Sequence, residues 1–173
     1  MPALVWSEDF AMDLPLMDET HQEFIDLLAV VEAAPDSTVI PAWQRLVEHT
    51  ADHFGRENRW MVETRFAAGN CHTVQHKVVL DIIKDGAVKG AAGDLVMVRQ
   101  MARELADWFP HHAQAMDAAL AEHLRRVGYD PVTGIVHQPD ALPAEEIHGC
   151  GGADMCVTSD AQATPTMADE STV

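Results

Sequence analysis

Seven side chains of this 173-residue chain are of the types, and at the spacings, that hold metal ions: His21, His53, Glu57, His72, His76, His112 and Asp117. His53 and Glu57 form an i, i+4 pair, as do His72 and His76, and a helix stacks such a pair on one face. A helix that offers two donors one turn apart offers both to one cation. His112 and Asp117 stand five apart, which does not align them on an ideal helix. That offset suits a bridging carboxylate beside a terminal imidazole. Taken singly, each group is weak: a lone His21 on an apolar face is more often a satisfied core histidine, and a His-x3-Glu pair looks the same on a solvated surface. Jointly they are stronger, because each falls on the stripe its own helix must bury. Burying that many polar groups without partners would cost more than a marginally stable fold can absorb. Five imidazoles and two carboxylates favour a borderline first-row cation. Seven donors are too many for one ion, whereas two ions bridged by the two carboxylates satisfy them all.

Four helices must position these groups. Residues 1–17, interrupted by Pro2 and Pro15, read as an extended arm across the bundle, with Trp6 as its packing anchor. Asp18 is the expected N-cap of a first helix whose apolar positions are Phe24, Ile25, Leu28 and Val31, ended by Pro35. A second helix begins near Pro41 and stops before Gly69-Asn70, with Trp43, Leu46, Thr50, His53 and Glu57 facing inward. A third spans 70–84 and is closed by Asp85-Gly86 and the glycines of 90–93. Asp94 caps a fourth, with stripe Val98, Met101, Leu105, Trp108, His112, Met116 and Leu120, bent at Pro110 and ended by Arg125, Arg126 and Gly128. Short connections predict an all-α, up-down-up-down antiparallel four-helix bundle with an N-terminal arm and a C-terminal tail.

The formal charge is −17, so the chain offers no basic patch to nucleic acid or to anionic lipid. No apolar run is long enough to span a membrane, and the N-terminus lacks a basic-then-apolar leader, so a cytoplasmic location is expected. After Arg126 come eight acids and no Lys or Arg. Residues 129–173, rich in Pro, Gly, Ala and Thr, therefore read as a mobile tail or loosely docked extension, distinct from the 1–128 domain and open to an unidentified protein partner. Three cysteines are too few for a disulfide scaffold, and Cys71 reads as a small buried or half-buried thiol. His148, Cys150 and Cys156 match no zinc spacing and read as ordinary tail, with a soft-metal site or redox pair as the alternative. His49, His111, His123 and His137 read as spares.

The motifs Asp18-Glu19-Thr20-His21, His53-Phe54-x-x-Glu57, His72-x3-His76 and Trp108-x3-His112-x4-Asp117, with Trp6 in the arm, resemble the hemerythrins, specifically their bacterial branch, over roughly residues 1–128. The resemblance implies a non-haem di-iron centre, with an oxo or hydroxo bridge, that binds O2 reversibly. It implies His72, His76 and His112 as terminal ligands of one iron and His21 and His53 of the other, with Glu57 and Asp117 bridging and one coordination position left for O2. Phe24, Phe54, Trp108, Phe109 and Ala113 are expected to line the O2 pocket. Oxygen delivery, storage or buffering is the expected role, without enzymatic activity. An O2 sensor, or a di-iron enzyme such as a peroxidase, NO reductase or iron oxidase, is the alternative. Three positions depart from the family pattern: Asn58 stands where a second acid is usual, Pro110 lies inside the last helix, and Ala113 replaces a larger aliphatic, which predicts a roomier pocket and faster autoxidation.

Overall fold

A computed structural model of the protein describes residues 2–66 and 71–145. It contains α1 (Pro15–Ala33), α2 (Val39–Glu63), α3 (Cys71–Ala91), α4 (Leu95–His112), a π-helical turn (Ala113–Asp117) and α5 (Ala118–Arg126), followed by a small hairpin. Each long helix packs on the next and α1 closes against α4, giving the up-down-up-down antiparallel four-helix bundle. The core between them includes Phe24, Leu28, Trp43, Leu46, Ile83, Phe109, Leu120 and Leu124. None of the described helices is long and apolar enough to cross a membrane.

The helix ends differ from the expected ones for identifiable reasons. α1 starts at Pro15, whose fixed φ and missing N–H suit a first turn. Asp18 therefore lies inside the helix, where its Oδ1 accepts the Met12 N–H at 2.6 Å and ties down the arm. Asp94 is the expected cap, and its Oδ1 accepts the Met97 N–H at 3.0 Å.

α3 runs to Ala91, five residues past the Asp85-Gly86 pair expected to end it. Gly86 and Gly90 here serve packing. A Cβ on Gly86 would stand 2.5 Å from Met101 Sδ, and one on Gly90 would stand 2.5 Å from Ile40 Cδ1 and 2.6 Å from Val98 Cγ2. Each costs helix propensity of about 1 kcal/mol relative to alanine, and in return α3 lies close against α2 and α4. The Trp43 indole crosses the same seam and donates to the Ile83 carbonyl at 3.0 Å.

α4 passes through Pro110, which has no N–H to give the Ala106 carbonyl. The expected bend takes the form of a π-turn just beyond it, where the Ala118 N–H bonds to the Ala113 carbonyl. The arm runs back along α1, with the Ala3 N–H on Glu32 at 2.9 Å at one end and the Arg125 guanidinium on the Met12 carbonyl at the other. Trp6 is partly buried, and its ring lies 6.2 Å from that of Phe10.

Residues 129–145, expected as part of a mobile or loosely docked tail, hold a definite place. Tyr129–Asp130 and Ile135–Val136 pair as antiparallel strands β1 and β2. The Tyr129 hydroxyl donates to Glu63, and Arg65 Nη1 donates to the Pro143 carbonyl at 3.2 Å. Both contacts fasten the segment to the C-terminal end of α2. Residues 146–173, with His148, Cys150 and Cys156, lie outside the described residues.

Candidate metal centre

The bundle brings the seven donors to one place. α1 supplies His21, α2 supplies His53 and Glu57, α3 supplies His72 and His76, α4 supplies His112, and the π-turn ends on Asp117. None exposes more than 2% of its surface. The wider π-turn answers the five-residue offset: both His112 Nε2 and His72 Nε2 lie close to Asp117 Oδ1, at 3.2 and 3.0 Å. The donor atoms form two groups, Glu57, His72, His76, His112 and Asp117 in one, and His21, His53, Glu57 and Asp117 in the other. Within each group all atoms lie within 4.8 Å of one another, and both carboxylates belong to both groups.

The arrangement suits cations better than it suits itself. His76 Nδ1 is 2.9 Å from Asn58 Oδ1, and His112 Nδ1 is 3.3 Å from Gln75 Oε1. Both acceptors are carbonyl oxygens, so each Nδ1 carries the proton and each neutral ring turns a bare Nε2 lone pair inward. Those two Nε2 atoms face each other 3.1 Å apart. Two lone pairs at that distance repel unless something positive lies between them. Elsewhere His21 Nε2 is 3.2 Å from Asp117 Oδ2, and His76 Nε2 is 3.3 Å from Glu57 Oε2. These contacts are close but misaligned: both nitrogens of His21 and of His72, Glu57 Oε2 and both Asp117 oxygens make no hydrogen bond. Buried donors and acceptors left so cost about 1–3 kcal/mol each. Metal ions accepting the inward lone pairs would relieve that cost, so the residues fit such a group.

The side chains also set one another's charges. Burial works against an imidazolium at His21 and His72, but the Asp117 and Glu57 carboxylates override it and push them up to about 10 and about 9. Burial brings His76 down to about 4 against the pull of Glu57, and the neighbouring His72 and His112 rings further disfavour a proton there. Burial alone would raise both carboxyls, yet the surrounding imidazoles hold Glu57 and Asp117 well below the usual carboxylate range. The two carboxylates thus stay ionised and demand positive charge.

Aromatic rings flank the donors on both sides, and Phe54 reaches both, its centroid also 5.3 Å from that of His53. Phe54 stacks on His76 with centroids 3.9 Å apart, and Trp108 stacks on His112 at 4.4 Å, both on the three-histidine side. Phe109 meets the His21 edge at 5.2 Å and stacks on Phe24 at 4.8 Å, on the two-histidine side. Ala113, fully buried, opens the π-turn. The residues expected to line one pocket therefore flank the donors from both sides.

Gln75 is a contact that the spacing did not reveal. Its Oε1 lies within reach of both His112 Nδ1 and, at 3.4 Å, Trp108 Nε1. Nothing in a lone glutamine between two histidines signals this, because both partners come from another helix. Asn58 was visible as a departure, and its position explains it: it orients His76. His49 stands outside both groups, with its Nε2–H on the Thr20 carbonyl at 3.1 Å. Cys71, expected as a thiol, is disulfide-bonded.

Residues 12–124 match the hemerythrin HHE cation-binding domain. The chain is 32% identical over 130 residues to a bacteriohemerythrin of Ralstonia nicotianae, covering 75% of this chain and 95% of that protein. It is 23% identical to the bacteriohemerythrin of Stenotrophomonas maltophilia, over 72% of this chain and 84% of that one. It is 26% identical to a myohemerythrin of Sipunculus nudus, over 65% and 87% of the two chains. No solved structure matched.

Proposed function

The chain belongs to the hemerythrin family, and from that premise we propose that it binds O2 reversibly at a non-haem di-iron centre held by the seven buried donors. The observation that carries this reading is the membership of Glu57 and Asp117 in both donor groups. Carboxylates shared in this way span two ions, as in other bundles that carry two metals. His72, His76 and His112 would hold one ion, and His21 and His53 would hold the other. The His21 and His53 group offers one protein donor fewer than the other, and on this reading O2 would be taken up on that side.

When bound, the iron pair supplies the electrons that O2 takes up on binding and returns on release. The protein's part is to position and protect. Asn58 and Gln75 fix the tautomer and ring orientation of His76 and His112. Phe24 and Phe109 build a dry wall beside His21, which keeps stray protons and water from the bound gas. Two carboxylates among seven donors supply less negative charge than the four found in ferritin-like sites, which favours carrying O2 over cleaving it.

The functional unit is residues 1–128, with 129–173 as an appendage, and its role is oxygen delivery, storage or buffering in the cytoplasm. The test is to load the protein with Fe(II) without oxygen, quantify the iron, and record spectra through cycles of air and inert gas. A visible charge-transfer band that comes and goes with O2 is the expected result. Bound iron whose spectrum changes once and never reverts would sink the reading.

A further inference from the structure

α3 presents two faces. One is buried, with His72, His76 and Ile83 turned into the bundle. The other is open and apolar. Val74, Val78 and Ile82 recur every fourth residue, which sets them in one slowly turning line along the helix, and they expose 55, 50 and 49% of their surface. That line runs into a trough between α3 and α4, lined by Val79, Met101, Trp108 and Met116. We propose that this seam is a self-association surface on which a second copy of the chain docks, with the two α3 helices antiparallel about a two-fold axis beside Val78.

Charge decides the occupant. The chain carries −17, yet all three of its lysines, Lys77, Lys84 and Lys89, lie on α3. The acids on that helix are Asp81 and Asp85, so three lysines against two aspartates leave it at +1 with His neutral. A second copy therefore meets no like-charge barrier at this face, and acids farther away are screened over a Debye length of about 8 Å. A basic partner, which an acidic protein attracts elsewhere on its surface, gains least here.

The order of the charges is also self-complementary. Lys77 Nζ lies 2.6 Å from Asp81 Oδ2, one turn along the helix. Gln75 and Val79 take the flank towards Trp108, so Lys77 and Asp81 occupy the flank turned away from α4. In an antiparallel pair each flank meets the same flank of the other copy. Lys77 then comes opposite Asp81 of the second copy, and Asp81 opposite its Lys77. The same rotation lays Val78 on Val78 and Val74 on Ile82, and takes from water the apolar line that a single copy leaves wet. Trp108 and Gln75 lie in the seam and touch His112, so association also shuts water from that side of the donor cluster.

The test is the mass of the full chain in solution, by sedimentation or light scattering, from roughly 1 to 100 µM, where modest interfaces form. The expected result is a rise from one chain to two. Val78→Glu puts a charge on the axis and should weaken the dimer about ten-fold or more, with helical circular dichroism unchanged. Val62→Glu, at a valine 60% exposed on α2, should leave it intact. Lys77→Glu and Asp81→Lys should each weaken association, and the two together should restore it. A native chain that stays single over the whole range, or a dimer that survives Val78→Glu, overturns the proposal. Failure of the double exchange to restore the dimer overturns the antiparallel pairing. None of these measurements depends on metal or on O2 binding.

Discussion

Glu57 and Asp117 each belong to both donor groups, so on the proposed reading the loss of either would take a ligand from both ions at once. Glu57→Ala should drop bound iron from about two ions per chain to well below one, measured by metal analysis, with helical circular dichroism retained. Unchanged iron content would refute its assignment. Asn58 acts one step out. Asn58→Ala leaves His76 Nδ1 without its 2.9 Å partner and should weaken iron retention about 10- to 100-fold. Asn58→Asp should do the reverse, since a carboxylate partner makes the imidazole a better donor; competition with a chelator reads both. The clustering of these seven side chains was legible because their residue types coincide with buried stripes. The pairing of Gln75 with His112 was not, because it depends on how two helices meet. The thiol reading of Cys71 failed for a related reason, since no local spacing announces that this cysteine is disulfide-bonded.

At the scale of helices, local grammar misled wherever packing overrode it. Asp85-Gly86 is a strong stop signal in isolation, yet α3 continues because its two glycines let backbones approach. Gly90→Ala should cost about 1–3 kcal/mol in denaturant unfolding, and more than Gly86→Ala. The reason is the neighbour: the new methyl meets branched Ile40 and Val98 at position 90, but the flexible end of Met101 at position 86. The opposite order would contradict the packing account. Pro15 shows the same conflict from the other side, since a proline read as an interruption begins α1. The offset between His112 and Asp117 could be seen in the spacing, but its resolution by a π-turn could not. A wider turn is a property of the backbone, whose carbonyl at Ala106 has lost a donor, and no side-chain pattern marks it.

Across the whole molecule, His123 ties the end of the long helix to the end of α2. Its Nε2–H donates to Thr64, and its Nδ1 accepts from Arg126 at 2.8 Å, so it is held as a neutral ring. Burial lowers its affinity for a proton and outweighs the pull of the Thr64 carbonyl, and the nearby Arg126 charge lowers it a little further. The unfolded chain, with its ordinary value near 6.5, therefore binds this proton first. Stability contributed by His123 is complete above that pH and is lost as pH falls below it, by at most about 1.4 kcal/mol per unit. Unfolding followed from pH 7.5 to 5 should show a shallower slope in His123→Gln than in the native chain; parallel slopes would exclude the effect. The four-helix topology was readable from connection lengths and stripes, whereas the seating of residues 129–145 was not, because single contacts such as Arg65 to Pro143 leave no periodic trace. The arm has a further consequence. From Trp6 to Phe10, to Phe109, to His21, the rings follow at 6.2, 6.1 and 5.2 Å, so the amino terminus acts as a lever whose far end rests on an imidazole. On the proposed reading, a purification tag fused there, or a protease nick ahead of Leu14, should be felt at the donor cluster: the iron-loaded protein so altered should brown irreversibly in air sooner than one tagged at its other end.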